Sequence, residues 1–178
     1  MAEIKNYQYE MNVTFADKET SILKAEDFKH FSSLDFFPID SSYRVKAKFR
    51  RTPGETARIF PTSTGARYYM LKYGEAQFEL QGKSIKLEVF QTEDLETDQP
   101  TYLFIPFTDL TSGNETYGGG RYVNSDLPVN NQLIIDFNRT YNPYCAYNDD
   151  YSCVLPPRSN RIPLSIKAGI KNFTKREH

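Results

Sequence analysis

The chain has 178 residues, of which 39% are hydrophobic, and its 22 basic and 23 acidic residues nearly cancel. This length suits one domain with a full hydrophobic core, so we expect a single domain over residues 1–178. The near-neutral charge predicts no nucleic-acid partner, and the lack of an apolar run of about 20 residues predicts a soluble protein with no membrane span.

The N-terminal segment, residues 1–40, carries the helical signals. An early helical turn is indicated around Tyr7, and a second helix is predicted with Ser21 as its N-cap, because a serine hydroxyl can accept a backbone hydrogen bond there. Pro38 ends the segment, since the residue before a proline is pushed out of the helical conformation. Residues 41–170 are expected to form the β core on which this segment packs.

Residues 1–10 are polar and lack the apolar stretch of a signal peptide. As the sequence stands, this predicts a cytoplasmic protein. If a signal segment has been removed, the same sequence fits a periplasmic or envelope-anchored protein.

In the β core, the hydrophobic pattern of the sequence changes to a period of two residues. Residues 43–51 alternate apolar and basic side chains, which is typical of a strand with one solvated face. An aromatic strand should follow, and residues 75–91 then predict a β-hairpin that turns at Gln81–Lys83. The inward side chains of the hairpin are expected to be Ala76, Phe78, Leu80, Ile85, Leu87 and Val89. A solvated loop is predicted to follow the hairpin, over 93–100.

Three further strands are predicted downstream. Residues 101–109 are apolar on both faces, which favours a central strand, and Pro106 should produce a bulge or bend because it cannot donate to a ladder. Residues 131–138 predict a buried strand, and 161–169 predict the last one. The inward side chains of this last strand are expected to be Ile162, Leu164 and Ile166.

About seven strands with short, turn-rich connections indicate the fold class. Hairpins need little connecting chain, whereas parallel strands need long crossovers. The sequence therefore predicts a mainly β fold, an antiparallel β-sandwich or barrel with an N-terminal helical segment.

A carboxylate interrupts the apolar strand over 131–138. Alternation places Asp136 and Asn138 on the same side of that strand. Burying an unpaired charge is prohibitive, so two interpretations stay open. Either Asp136 receives backbone N–H groups or an arginine and fixes a turn, or it lines a pocket with Asn138.

Residues 139–161 form a long segment rich in proline, tyrosine and asparagine, with little strand periodicity. Such segments are either functional or self-packed. A tyrosine offers a flat apolar face and a polar tip, which suits a sugar or polyol as well as the edge of a core. The candidate binding residues in this segment are Tyr141, Asn142 and Tyr147.

The two cysteines, Cys145 and Cys153, lie in the same segment and do not form a CxxC motif. The two histidines, His30 and His178, are far away in sequence, so we expect no metal site and no cofactor. The cysteines are either thiols, expected in the cytoplasm, or a disulfide, expected after export. We assign both of them structural roles, together with Arg161.

The stretch GNETYGGGRY, residues 113–122, contains three consecutive glycines. Glycine tolerates positive φ and close approach of other groups, so the stretch is either a turn leading into a strand or a row of backbone N–H groups suited to an anion. Its spacing is not that of a nucleotide-binding loop. Glu115 and Arg121 are placed to pair across the turn. The candidate binding residues here are Asp109, Glu115, Tyr117, Gly118, Gly119, Gly120 and Arg121.

Catalytic motifs are mostly missing, since the chain has no GxSxG and no histidine placed to serve a nucleophile. Two separated carboxyl groups can perform acid–base chemistry. Asp109, Glu115 and Asp136 are the candidates, but the sequence does not show that any two converge, so catalytic residues stay unassigned.

Four segments resemble the prokaryotic family known as domain of unknown function 1684, from about Tyr7 to Gly169: FFPIDSSYRVKAKF, PFTDLTSGNETYGGGRY, IDFNRTYNPYCAYNDDYSCVLPPRSNR and IPLSIKAG. The N-terminal part, with its FPID, is similar to members from Bacteroidetes. The resemblance implies no activity, and it singles out the positions of the glycine-rich and tyrosine-rich segments. Many similar proteins begin with an export or lipoprotein signal.

Three hypotheses for function follow. The first is a binding domain with a polar, tyrosine-lined pocket for a small anionic or sugar-like ligand. The second is a carboxylate-based hydrolase or lyase. The third is a structural or interaction protein of the cell envelope. The sequence does not indicate the oligomeric state.

Overall fold

A computed structural model of the protein describes residues 1–92 and 100–175. In chain order, the elements within these residues are α1 (Ala2–Ala16), α2 (Ala25–Lys29), β1 (Arg44–Arg51), β2 (Arg58–Phe60), β3 (Tyr68–Leu80), β4 (Lys83–Gln91), β5 (Leu103–Phe107), β6 (Arg121–Ser125) and β7 (Gln132–Asp136). The predicted loop over 93–100 lies almost entirely outside the described residues, as does His178.

The seven strands of the described residues form one antiparallel sheet, curled into a half-barrel. The strand order is β6-β5-β4-β3-β1-β7, and the short β2 pairs with β3. This confirms the predicted mainly β, antiparallel fold with an N-terminal helix. The sheet curls around its own core.

Strand β1 shows why the sheet has one wet and one dry face. Val45, Ala47 and Phe49 are buried, whereas Arg44, Lys46 and Lys48 between them are exposed. The strand pairs with β7 on one side and with β3 on the other. Its basic residues therefore cover the outside of the half-barrel, as the period of two predicts.

The hairpin of β3 and β4 is confirmed, with its turn at Gln81 and Gly82. Both of these residues have positive φ, 50° and 74°, as a two-residue hairpin turn requires. All six side chains predicted to face inward are buried. The aromatic strand predicted before the hairpin is continuous with it in the 13-residue β3. A register shift between Lys72 and Gly74 marks the join.

Strand β5 is fully buried, but the bulge predicted at Pro106 is wrong. Pro106 pairs with Tyr122 of β6 without any register shift. On the other side, β5 pairs with β4 only at Phe104. Beyond that point the side chain of Asn160 joins the two strands: its Nδ2 donates to Pro106 O at 2.9 Å and to Glu88 O at 2.8 Å. Its Oδ1 accepts the Glu88 N–H at 2.8 Å.

The last predicted strand, over 161–169, is wrong as a strand, although Ile162, Leu164 and Ile166 are buried as expected. The Ile162 N–H donates to Thr108 O at 2.8 Å, and later carbonyl groups of the segment accept hydrogen bonds from a buried arginine. The hydrogen-bond donor to these carbonyl groups is thus the arginine side chain and not the backbone of a neighbouring strand. Because the aromatic strand is also part of β3, the count of seven is completed by β6 and by β2, which is three residues long and mostly exposed.

The N-terminal helices differ from the prediction in their limits. Helix α1 is longer than one turn and buries Ile4 and Phe15. Ser21 does not cap a helix, since α2 starts at Ala25 with Lys24 in the N-cap position. Among residues 1–92 and 100–175, neither helix is long and apolar enough to cross a bilayer.

Candidate functional site

A cleft of about 610 Å³ lies between helix α1, the outer face of β1 and β7, and the connection from β6 to β7. It is lined by three cations, three carboxylates and three tyrosines, together with neutral residues. The charged and aromatic lining residues are Arg44, Lys46, Arg139, Glu3, Asp126, Asp136, Tyr7, Tyr102 and Tyr141. We refer to it as the cationic cleft, after Lys46 and Arg139.

The pairing of β1 with β7 positions one side of the cationic cleft. Arg44 lies directly opposite Asp136 in the register, and Lys46 lies opposite Ile134. The Arg44 Nε atom is 3.6 Å from Asp136 Oδ2. The same Asp136 accepts the N–H of Asn138 at 3.0 Å and its side-chain amide at 2.9 Å through Oδ1. The charge of Asp136 is thus already balanced by protein groups.

Helix α1 forms the opposite wall through Tyr7. The guanidinium of Arg139 lies over the Tyr7 ring, with its carbon 5.2 Å from the ring centroid, a cation–π contact. Burial raises the pKa of Tyr7 to about 12, although Arg139 opposes the shift. Within residues 1–92 and 100–175, neither Arg139 nor Lys46 has a carboxylate within 4 Å. These two cations are therefore available to an anion.

A second cleft, of about 280 Å³, adjoins the first, since Tyr102 and Tyr141 line both. The Tyr141 hydroxyl donates to Asn124 Oδ1 at 2.9 Å. Six tyrosines line this tyrosine cleft, and Cys153 also reaches it. The six are Tyr68, Tyr102, Tyr122, Tyr141, Tyr144 and Tyr151.

The glycine-rich stretch forms a turn that leads into β6. The Gly120 N–H donates to Tyr117 O at 3.1 Å. Gly120 has φ of 90°, and a Cβ atom there would lie 2.6 Å from Phe107 O. Only glycine fits this position without displacing backbone. Gly118 is exposed, and Gly119 has the Tyr117 ring against it.

The expected pair between Glu115 and Arg121 is wrong. Glu115 instead binds Lys167 at 3.1 Å on the surface. Arg121 is fully buried, and its Nη2 atom lies 3.5 Å from Asp109 Oδ2. Burial lowers the pKa of Arg121 to about 10, against the opposing effect of Asp109. This guanidinium is enclosed by protein and lies in neither cleft.

The buried arginine organises the C-terminal segment. Its Nη1 donates to Ala168 O at 2.7 Å and to Ile170 O at 3.0 Å, and its Nη2 donates to Ile166 O at 2.7 Å. Asp109 Oδ2 accepts the Ile166 N–H at 2.6 Å. Arg121 and Asp109 thus fasten the irregular segment that replaces the predicted last strand.

The remaining candidate residues support the architecture. Asn138 is buried and holds the backbone of Asp40 through two hydrogen bonds. Asn142 donates to Lys171 O at 2.9 Å. Tyr147 is buried against Phe15 of α1, with ring centroids 4.6 Å apart. The Arg161 side chain is exposed.

The glycine-rich and tyrosine-rich segments do pack on each other. The Tyr117 hydroxyl lies 3.6 Å from Cys145 Sγ, and the backbones of Tyr122 and Tyr141 exchange two hydrogen bonds of 2.9 Å. Of the predicted binding residues, however, only Asp136 and Tyr141 line the cationic cleft.

Sequence reasoning missed the groups that give the cationic cleft its character. Lys46 belonged to a strand whose outer face was recognised, but no pattern indicated which part of that face is concave. Tyr7 and Arg139 come from segments more than 100 residues apart, and only tertiary packing brings them together. Among the described residues, no group of three His, Cys, Asp or Glu side chains is arranged to hold a metal.

Comparison with known proteins relates the chain to one described family and to solved structures. A family model described as "Protein of unknown function (DUF1684)" matches residues 29–171. An uncharacterized protein of Haloarcula marismortui, with a solution NMR structure, is 30% identical and has a TM-score of 0.76, and the match covers 99% of this chain and 95% of that one. No curated protein matches.

Proposed function

Because the chain belongs to the DUF1684 family of proteins of unknown function, whose description carries no activity, we propose a function from the geometry of the cationic cleft. The protein is a binding domain for a small anionic, sugar-like ligand, such as an acidic sugar or a sugar phosphate. The observation that carries this proposal is the convergence of Lys46, Arg139 and three tyrosines on one concavity of about 610 Å³.

The charges of the cleft favour an anion with a single acidic group. Asp136 is balanced by Arg44 and by Asn138, and the other charged groups of the lining, Glu3, Asp126, Lys46 and Arg139, are exposed. Lys46 and Arg139 are then the cations that an incoming carboxylate or phosphate would meet. Hydrogen bonds to charged groups are roughly twice as strong as neutral ones.

The aromatic groups favour a ring with hydroxyl groups. Tyr141 and Tyr102 present flat faces with polar tips, and the Tyr7 ring is held by Arg139. The volume of the cleft lies within the range of about 300–1,000 Å³ that is usual for small-ligand sites. The finer expectations, a bacterial origin close to Bacteroidetes and a cytoplasmic or envelope location, stay predictions from the sequence.

The alternative of a hydrolase or lyase receives less support. Of the three carboxylates proposed for this chemistry, Asp109 is enclosed with Arg121 and Glu115 binds Lys167, so Asp136 alone among them lines the cleft. Paired carboxylates at a catalytic separation of about 5–9.5 Å would need two of these three to share a cavity.

Nuclear magnetic resonance titration of the ¹⁵N-labelled protein tests the proposal. Glucuronate and glucose 6-phosphate should shift the amide signals of the cationic cleft, and uncharged glucose should shift them much less. Arg139→Gln should weaken binding about 10- to 150-fold, since one charge-assisted contact contributes about 1.5–3 kcal/mol.

The matched control is Lys48→Gln, which removes an exposed cation from the same outer face of β1, outside the cleft lining. This variant should bind like the wild type. If neither acid shifts the cleft signals at millimolar concentration, or if Arg139→Gln binds unchanged, the proposed function is wrong.

A further inference from the structure

The two cysteines lie against each other although no bond joins them. Cys145 is the middle residue of a short 3₁₀ turn, and its backbone N–H donates to the Sγ atom of Cys153 at 3.1 Å. The Cα atom of Cys145 is therefore no more than about 4.6 Å from that sulfur, because the N–Cα bond adds about 1.5 Å. Both residues are buried, at 7% and 9% exposure, and both are free thiols. The two side chains are in position to bond to each other.

The surroundings distinguish the two sulfurs. A hydrogen bond from the Cys153 thiol lowers the pKa of Cys145 to about 6, and the hydroxyl of Tyr117, 3.6 Å away, acts in the same direction. The pKa of Cys153 is raised, first because its thiol is the donor in that hydrogen bond and second by burial. Cys145 is thus the more acidic of the two and carries the negative charge when the pair loses one proton.

The two cysteines also differ in their access to the tyrosine cleft. Cys153 lines the tyrosine cleft, whereas Cys145 lines none of the clefts described here. Tyr144 and Tyr151 flank the same opening, with ring centroids 5.3 Å apart, and both are exposed. A small molecule that enters this cleft contacts Cys153 and not Cys145.

We propose that Cys145 and Cys153 form a dithiol site that exchanges with small-molecule disulfides entering the tyrosine cleft. This inference is independent of the proposed anion site. The tyrosine faces supply an apolar surface for the organic part of the disulfide. The two sulfurs carry out the exchange: Cys153 is the accessible residue, and Cys145 is the more acidic one.

The exchange takes place in two balanced steps. Cys153 first passes its proton to the Cys145 thiolate, and the resulting Cys153 thiolate attacks a disulfide RSSR. The S–S bond of RSSR breaks, one RS⁻ leaves, and a mixed disulfide forms on Cys153. Cys145 then gives up its proton, which RS⁻ takes as RSH, and its thiolate attacks Cys153 Sγ. The second RS⁻ leaves and is protonated from water. Overall, the singly deprotonated cysteine pair, RSSR and one proton from water give a protein disulfide and two RSH.

The reverse direction uses the same geometry. An external thiolate attacks Cys153 from the cleft, and Cys145 leaves as the thiolate. A thiol of low pKa is the better leaving group in such exchange, so this order of events is the faster one. The site is therefore reversible, in contrast to a structural disulfide that resists reduction by the glutathione pool.

Incubation of the folded protein with glutathione disulfide, followed by mass spectrometry, tests the order. The wild type should lose two hydrogens and carry no adduct. Cys145→Ser should accumulate a glutathione adduct on Cys153, because no second sulfur resolves it. Cys153→Ser should remain mostly unmodified, since Cys145 is not reached from the cleft. Equal adducts on both serine variants would overturn the assigned order and the proposal with it.

Two further measurements on folded protein complete the test. The wild type should change between dithiol and disulfide across a series of glutathione redox buffers, with its circular dichroism unchanged. Tyr117→Phe, which lacks the hydroxyl beside Cys145, should raise the pH at which the ¹³Cβ chemical shift of Cys145 titrates in protein that keeps Cys153. If the wild type keeps two free thiols at every buffer ratio, or stays fully oxidised in excess reduced glutathione, the proposed exchange site does not exist.

Discussion

Arg121 and Asp109 form an enclosed ion pair: the Arg121 Nη2 atom lies 3.5 Å from Asp109 Oδ2, and the two side chains are 0% and 1% exposed. The arginine also donates to three carbonyl groups of the segment from Ile166 to Ile170. Desolvation of the two charges opposes their attraction. The pair therefore acts mainly by specifying where the C-terminal segment packs, and its partners depend on each other.

Asp109→Asn should destabilise the protein strongly. The substitution keeps the shape of the side chain but leaves Arg121 as a buried cation without a charged partner. Breaking a buried pair in this way costs about 3–5 kcal/mol. Urea denaturation, followed by far-ultraviolet circular dichroism, measures the free energy of unfolding directly.

Glu115→Gln is the matched control, because Glu115 and Lys167 form an ion pair that is exposed. Loss of an exposed pair should cost at most about 1 kcal/mol. If the two variants were equally stable, the enclosed pair would not organise this part of the fold.

The strands with regular alternation were predictable from the sequence. Strand β1 and the part of the hairpin over 74–80 and 84–89 bury every second residue, and the positive φ angles at Gln81 and Gly82 suit the predicted turn. In these elements the local pattern and the tertiary environment agree. A period of two is sufficient where a strand has neighbours on both sides and one face in water.

The C-terminal segment shows why alternation alone is insufficient. Ile162, Leu164 and Ile166 point inward with the period of a strand, yet the carbonyl of Ile166 is bonded to Arg121. The apolar side chains of this segment cause its burial. Whether it pairs as a strand depends on which other backbone segment lies beside it. That second property is not encoded within the segment.

The candidate site was predictable only in part, for a related reason. Asp136 and Tyr141 were recognised as residues with unusual surroundings, and both line the cationic cleft. Arg121 was equally conspicuous, but its charge is used inside the protein. Tyr7 and Arg139 looked ordinary in sequence, because their contact depends on the docking of α1.

Asn160→Ala should weaken the junction between β4 and β5. The Asn160 side chain provides three hydrogen bonds to the backbones of Glu88 and Pro106, where the two strands no longer pair. Alanine leaves these backbone groups unsatisfied, and each buried unsatisfied group costs about 1–3 kcal/mol. We expect a loss of about 2–5 kcal/mol in the free energy of unfolding.

Hydrogen exchange gives this prediction a local readout. The Glu88 amide should lose protection in Asn160→Ala, while amides of the β3 and β4 turn keep theirs. Ser159→Ala is the control, because its exposed hydroxyl reaches only the Glu88 carboxylate, at 2.9 Å. Unchanged exchange at Glu88 in Asn160→Ala would contradict the bridging role.

The outer face of the sheet carries a charge cluster centred on Glu75. Its carboxylate binds Lys72 and Lys86, each at 2.9 Å, and also Arg50. Hydrogen bonds from Lys72 and then Lys86 lower the pKa of Glu75 from the usual 4.5 to about 2. Because the folded state holds this group ionised more strongly than the unfolded state does, the carboxylate stabilises the fold in a pH-dependent way.

Glu75→Gln should therefore cost stability at neutral pH and very little in strong acid. The contribution of a carboxylate with a lowered pKa is fully present above its unfolded value near 4.5 and is lost as the pH falls through about 2. We expect the difference in free energy of unfolding between wild type and Glu75→Gln to be constant from pH 7 to about 5 and to shrink steadily below that. Urea denaturation at a series of pH values measures it. Glu79→Gln, an exposed change on the same strand, provides the baseline for general acid effects. A difference that stays constant down to pH 2 would mean that the lysines around Glu75 do not hold its charge.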